Sequence, residues 1–596
     1  MRRWLCWACG VVMAGVGLLI AGPSRVVADG CNTWSGPSNG GNWSSGGNWS
    51  SGKAPTNGQA LCFSPSGTLT TNDDMSGLSV SGLTVTTSAS DELIITDNPG
   101  DTLTLTGSPA LITASATGGG AAVQAGSDPA GSLVFETLLD LSGATTVSGY
   151  VDFRALISGP AGSLTVAGPG QTVLGDPGVS PATPNTFQGG VTVDTGAAAV
   201  IDGTGALGTG PVTVVPGGEL VLAGPPQQLS NPISLGGSGF ADSSPALGCS
   251  NAQCDHPGNA ALDCQNEAAV NGAVTLTANT SLYTALGCTL NGTISGPYQL
   301  TLLGYSGCHC VAWIDGSNSY SGGTVLGTGT VSWSNNATGG QNSVDATGAS
   351  PLGSGPVTVD PGPAGSTLTG TGTVGDVTSA GAVEGGDPTG ALSVGSLSLA
   401  GGSFDVQINS ASSYSVINAS AAVTIVPATS LVVTLDYTPS VGTSFTIIHN
   451  TSGSSVTGNF AGLPQGATFE QGGTYFTITY HGGVGNDVVI TTVAPPTPTP
   501  SSTPTPTATP TPTPSTTPSP SPSGSASPVI VIAPAPSATP TPLTNASTAG
   551  AQGSGGAGVW PVALVIGFVL VVVGAVLALW RDQVLGKLRA WFGRAG

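Results

Sequence analysis

Gly482-Gly-Val-Gly-Asn-Asp-Val-Val-Ile490 meets every fixed position of the calcium-binding nonapeptide G-G-x-G-x-D-x-U-x, which makes Asp487 a candidate calcium ligand. That chemistry needs tandem copies, because each cation sits between adjacent turns and draws oxygens from both. There is one copy. A Gly/Asn turn ahead of a last strand accounts for the same residues, so no metal or other cofactor is expected.

Gly248 to Gln265 and Gly307 to Cys310 place Cys249, Cys254, Cys264, Cys288, Cys308 and Cys310, with His256 and His309, inside one stretch of chain. The Cys-x4-Cys and Cys-x9-Cys spacings are not those of a zinc finger or ribbon. With Cys31 and Cys62 there are eight cysteines after the first 28 residues, an even number that reads as disulfides in an oxidising compartment. Cys31 with Cys62 is the natural pair at the N-terminal end.

Asp73 with Asp74, and Asp97 with Asp101, are the acid pairs a hydrolase would need. They lie in Asx-rich turns, where solvated capping is the simpler role. A lyase would need a basic residue beside the sugar, and the exported part holds only Lys53 and Arg154, about a hundred residues apart. Trp34, Trp43 and Trp49, each followed by Ser, could stack on sugars or pack an end cap. With two bases against 29 acids, few carboxylates can be salt-bridged, and most are expected to titrate near their ordinary values.

The ends of the chain say where such groups would work. Arg2 and Arg3, an apolar run from Trp4 to Ile20 and small residues at Val26 and Ala28 read as a signal peptide over residues 1–28. Residues 560–580 run from Trp560 to Trp580 without a charge, long enough for a transmembrane helix. Arg581, Lys587, Arg589 and Arg594 then make residues 581–596 a basic cytoplasmic tail by the positive-inside rule. The expectation is a cell membrane protein with a single-pass anchor, its N-terminal ectodomain extracellular and its C-terminus cytoplasmic. Nucleic acid is excluded as a partner because the basic footprint is missing.

Between the ends, short alternating segments such as Thr102-Leu-Thr-Leu-Thr-Gly107 and Gly162-Ser-Leu-Thr-Val-Ala-Gly168 alternate with Gly, Asn, Asp and Pro turns. Six Glu and one Lys over the ectodomain leave little from which to build amphipathic helices. The fold class expected is all-β, a right-handed parallel β-helix (solenoid) with about 20 to 25 residues per coil; tandem β-sandwiches are the runner-up. The β-helix ectodomain is placed at 29–390, a C-terminal β region closing the solenoid at 391–493, and a Pro/Thr/Ser/Gly-rich stalk at 494–559. The stalk composition is that of extended polyproline II.

Two units, near 185–222 and 318–374, correspond to one another. Asn185-Thr-Phe-Gln-Gly-Gly190 leads to Leu207-Gly-Thr-Gly-Pro-Val-Thr-Val214, and Asn318-Ser-Tyr-Ser-Gly-Gly323 leads to Leu352-Gly-Ser-Gly-Pro-Val-Thr-Val359. These resemble the autotransporter-associated β-strand repeat family of surface β-helix proteins, here without the autotransporter β-barrel. The second unit carries twelve extra residues between its halves, read as a loop around Asn335 to Ser350. The resemblance implies scaffold rather than catalysis: a repeat-built, non-enzymatic cell-surface protein with an adhesin-like or envelope structural role, whose partners would be glycans or extracellular matrix. The alternative is a carbohydrate-active, polysaccharide-degrading β-helix enzyme or a glycan-binding module.

The cysteine reading gives the first test. Alkylation of the full-length protein under denaturing, non-reducing conditions should find no free thiol among the eight exported cysteines; several free thiols, or stoichiometric zinc, would overturn it.

Overall fold

The computed structural model describes residues 30–496, apart from 89–90, 118–131, 176–183, 225, 240–259, 266, 285–286, 305–308, 329–340, 362–365 and 387. The expected signal peptide, most of the expected stalk, the expected membrane helix at Trp560 to Trp580 and the basic tail lie outside the described residues, as do Cys249, Cys254, Cys308 and His256. Among the described residues no helix is long and apolar enough to cross a membrane.

The described chain is all-β. Its one helical element is a 3-10 turn at Gly46–Asn48, and its strands form sheets of 30 and 15 members. Nearly every pairing is parallel and joins a strand to one a coil further along, so the chain climbs rung by rung as a β-solenoid does. Leu164 stacks on Val191, then Val212, Ile233, Val274 and Ile294. A second ladder carries Leu300, Thr324, Val357, Val377, Leu397 and Val423. The smaller sheet stacks Val270, Leu290, Ile314 and Ala346. The period-2 alternation of each short strand explains the arrangement. In Ser163–Ala167, Leu164 and Val166 are buried while Thr165 faces out, and the outward column above it reads Thr192, Thr213, Ser234, Thr275 and Ser295.

The two corresponding units have the same geometry, hinged on a buried asparagine. Asn185 Oδ1 accepts from Ile157 N–H at 2.7 Å and Asn185 Nδ2 donates to the Ala206 carbonyl at 2.7 Å, so one side chain bonds the backbone on either side of its own coil. Asn318 does the same to Ile294 N–H and the Pro351 carbonyl, both at 2.6 Å. Two residues on, Phe187 and Tyr320 are fully buried, and their carbonyls accept from Thr209 and Ser354 N–H. The Gly of each Leu-Gly step closes against that aromatic. A Cβ on Gly208 would stand 2.4 Å from the Phe187 carbonyl oxygen, and one on Gly353 would stand 2.3 Å from that of Tyr320, both at positive φ. Of the Gly pairs, the second members, Gly190 and Gly323, have positive φ, where glycine carries no Cβ penalty.

The twelve-residue difference does not form a loop throughout. Gln341–Ser350 is a strand, paired in parallel along His309–Ser317 and continued by Ser366–Thr369. Its polar sequence is outweighed by ladder bonds on both edges, the usual way tertiary pairing overrides strand propensity.

Both ends are closed. At the N-terminal end Trp34, Trp43, Trp49 and Phe63 form one cluster, with Trp34 and Trp49 edge-to-face at 5.1 Å, and Trp49 Nε1 donates to the Trp43 carbonyl. Cys31 is disulfide-bonded to Cys62 on the next rung. At the other end the parallel stack continues past Ala391 to Thr457–Gly458. There Thr468–Gln471, Thr474–Gly482 and Asp487–Val493 form an antiparallel meander against Ser444–Asn450.

Replacing Asn185 or Asn318 with Ala strands two buried backbone groups, each worth about 1 to 3 kcal/mol when left unmade. Either variant should therefore lose roughly 2 to 6 kcal/mol in denaturant unfolding. A midpoint unchanged from that of the parent would show that the clamp is dispensable.

Candidate functional site

The nonapeptide forms the tight turn between the last two strands. Val484 projects into solvent, and Gly483 and Gly485 have positive φ. Asp487 points inward instead. Its Oδ1 accepts from Asn450 N–H at 2.9 Å and lies 3.2 Å from His449 Nδ1, while Asn486 Nδ2 donates to the Asn450 carbonyl at 2.6 Å. The carboxylate thus ties the turn to the strand Ser444–Asn450. A Cβ on Gly483 would come 2.1 Å from Asp487 Oδ2, so glycine is required for the turn to lie against the carboxylate.

Of the remaining cysteines, Cys264 is bonded to Cys288, both fully buried, stapling adjacent coils of the stack. The backbone of Cys310 lies in His309–Ser317. Among the described residues no three His, Cys, Asp or Glu side chains gather around one point. The three tryptophans are buried in the cap, so they present no stacking face.

Asp73 and Asp97 are brought together, as the sequence did not indicate. The strand Thr68–Asp73 turns Leu69, Thr71 and Asp73 inward, and its register against Glu92–Asp97 sets Asp73 directly on Asp97. Asp74 is held at the turn by Ser44 N–H and Oγ, and Asp97 Oδ2 accepts from Thr137 Oγ1 and Leu138 N–H. Burial, with Asp101, Asp74 and Asp97 nearby, pushes the Asp73 carboxyl up to about 7, against the lowering effect of the Met75 N–H. The expectation that carboxylates titrate near their ordinary values fails here because the strand alternation drives one acid into the core.

Sequence reasoning also passed over a set of acids that stand on outward strand positions and yet are buried. Asp152 and Asp263 share a column through Val173, Val200 and Val221. Asp202 and Glu219 lie beside it, and Glu219 and Asp263 are 0% exposed. Arg154, one of the two bases in the described residues, bonds Asp152 at 2.9 Å and stands 3.7 Å from Glu136. A signal was present: an acid flanked on both sides by core residues, as in Val151-Asp-Phe153 and Leu262-Asp-Cys264. Asp152 and Asp263 are four rungs apart, roughly 19 Å at the usual strand spacing, too far to act on one bond. Glu219 and Asp263 are closed to substrate by burial. Glu384 and Asp405 do stand on neighbouring rungs in register and are only half-buried. Ser415 Oγ donates to Glu384 Oε1, and burial pushes the Asp405 carboxyl up against the Ser403 hydrogen bond.

One groove, of about 490 Å³, lies on the closing meander and sets Glu470 among Phe469, Tyr475, Val493 and Pro496. It offers an apolar platform with a single carboxylate.

No family model matches this chain. No curated protein matches it either. The corresponding units therefore rest on their own internal agreement, residue for residue, in hydrogen bonds and glycine conformations.

Asp487→Ala should lower stability by about 1 to 3 kcal/mol through the orphaned Asn450 N–H, and millimolar calcium should leave the parent's melting temperature where it was. A calcium-dependent rise in the parent that disappears in Asp487→Ala would restore the metal reading.

Proposed function

We propose that the chain is a non-catalytic cell-surface protein in which a right-handed parallel β-helix is displayed on a Pro/Thr-rich stalk and a single C-terminal membrane helix, with an adhesin-like or envelope structural role. The observation that carries this reading is the stack itself. Its coils are clamped together by two equivalent asparagines and closed at both ends, while its outward columns are mostly small and uncharged. Such a body offers surface along its length. Right-handedness is the form that parallel crossovers take in nearly all cases. The clamp residues Asn185, Phe187, Gly189 and Gly190, with Asn318, Tyr320, Gly322 and Gly323, are those of the autotransporter-associated repeat and support membership of that family. The uncharged run from Trp560 to Trp580 and the basic tail support the membrane anchor and its orientation.

One observation favours a carbohydrate-active enzyme. Glu384 and Asp405 are paired acids in unlike surroundings, the arrangement from which an acid and a nucleophile are made.

Protease added to intact cells should clip the stalk and release the β-helix while the basic tail stays protected. The released protein should bind members of a glycan and matrix-protein array without shortening any glycan. A C-terminal tag accessible on intact cells would refute the orientation. Glycan cleavage lost in both Glu384→Gln and Asp405→Asn would replace the adhesin reading with the enzyme.

A further inference from the structure

One of the places where the N-terminal cap meets the coil stack is a column of side chains that runs through Asp73. Trp43 belongs to the cap, and its backbone N–H donates to the Asn72 carbonyl at 2.9 Å, which sets it on the rung below Asp73. On the rung above stands Asp97, in register with Asp73. Beyond that is Thr137, whose Oγ1 donates to Asp97. Asp73 is 1% exposed and faces the core. Thr71, two residues earlier on the same inward side, is also fully buried and its Oγ1 makes no hydrogen bond. The groups facing Asp73 are Met75 N–H, which donates to Oδ1, and the acids Asp74, Asp97 and Asp101. Asn42, Asn72 and Asn98 line the adjacent outward corner as a neutral amide ladder. Among the described residues no cation belongs to this group. Lys53 is an exposed residue of the cap, and Arg154 is engaged with Asp152 and Glu136.

We propose that Asp73 is a proton-operated latch between the N-terminal cap and the β-helix: with its proton it stays in the core column beneath Asp97, and without it the cap and first rung loosen. An ionised carboxylate at this position is buried without a counter-charge and lies next to a second carboxylate already fixed by two donors. Desolvation and repulsion both act against it. Opening to water removes both. The folded position holds its proton up to about pH 7, whereas an opened one releases it near 3.8. The closed form therefore binds more protons throughout that interval, and closure weakens as pH rises through it. It is strongest below the lower value and levels off above the upper one. Acid surroundings lock the cap; neutral ones leave it at its loosest.

The test is hydrogen–deuterium exchange of the full-length protein in detergent, followed by mass spectrometry from pH 4.5 to 8.5 and corrected for intrinsic exchange rates. Segments covering Asn32 to Trp49 and Thr68 to Asp73 should open roughly fiftyfold more between pH 5 and 7, close to tenfold per unit until the upper value is neared, and then level off. Val191 to Val214, in the middle of the stack, should not respond. Asp73→Asn should keep the cap protected at every pH. Asp97→Asn should retain the response with reduced amplitude, and it serves alone if Asp73→Asn does not fold. Cap protection that is flat with pH in the parent overturns the proposal, as does an undiminished response in Asp73→Asn or, where that variant fails, in Asp97→Asn.

Discussion

The stack depends on parallel register: the backbone groups of each coil's strands are satisfied by the coils above and below it. A parallel ladder leaves every rung with two edges to fill. In the strands the ladder fills them by repetition. At the corners, where the chain turns and regular pairing lapses, side chains do it; Asn231 bonds the Gly208 and Gly210 carbonyls, and Asn185 and Asn318 do it in both directions at once. Each carries one acceptor and one donor on a planar amide, and each bonds the backbone on opposite sides of its own turn. The glycine that closes on Phe187 or Tyr320 fixes how near the next turn can come. A bulkier residue there would hold the coils apart and break the ladder on either side.

The same constraint explains the composition. In-register stacking places like positions on top of one another, so a favourable choice is multiplied up the column and an unfavourable one is multiplied too. Apolar columns, Thr and Ser columns and the Gln228, Asn271 and Asn291 amide ladder tolerate this. Charges do not, because neighbours about 4.8 Å away carry the same sign. A chain built this way sheds charge, and 7% of its residues are charged. Where acids stack, as at Asp73 with Asp97 and at Glu384 with Asp405, the register itself is a source of electrostatic stress.

Legibility in the sequence followed the same lines. Strand alternation was plain in Thr102 to Gly107 and Gly162 to Gly168 because every second residue is apolar, and the two repeat units were plain because their glycines and aromatics recur. The clamp was harder to see. Asn185 and Asn318 could be matched as letters, but nothing short of the stack shows that one side chain bonds the coils on both sides. Gln341–Ser350 does not read as a strand because its residues are poor strand formers and its partner strand lies 32 positions earlier. The inward course of Asp73 was legible in principle, since Leu69, Thr71 and Asp73 share a parity. Reading it required giving more weight to alternation than to the Asx-turn habit of the residues beside it.

A stack with unfilled first and last rungs would add further copies of itself, as exposed strand edges do. The two ends are protected by different means because they expose different things. The first rungs, Asn32–Thr33 and Asn39–Asn42, are short, the second with two glycines, and a plug of three tryptophans covers the core beneath them. At the other end Ser430–Leu435 is a longer strand that pairs along one edge with Ser403–Ser410 and leaves Val432 41% exposed. Across its other edge the Gln471 side chain reaches back to Val433 N–H, and the closing strands turn antiparallel. An antiparallel meander cannot serve as the next parallel rung, so the change of strand direction ends the solenoid where side-chain plugging alone would leave a template.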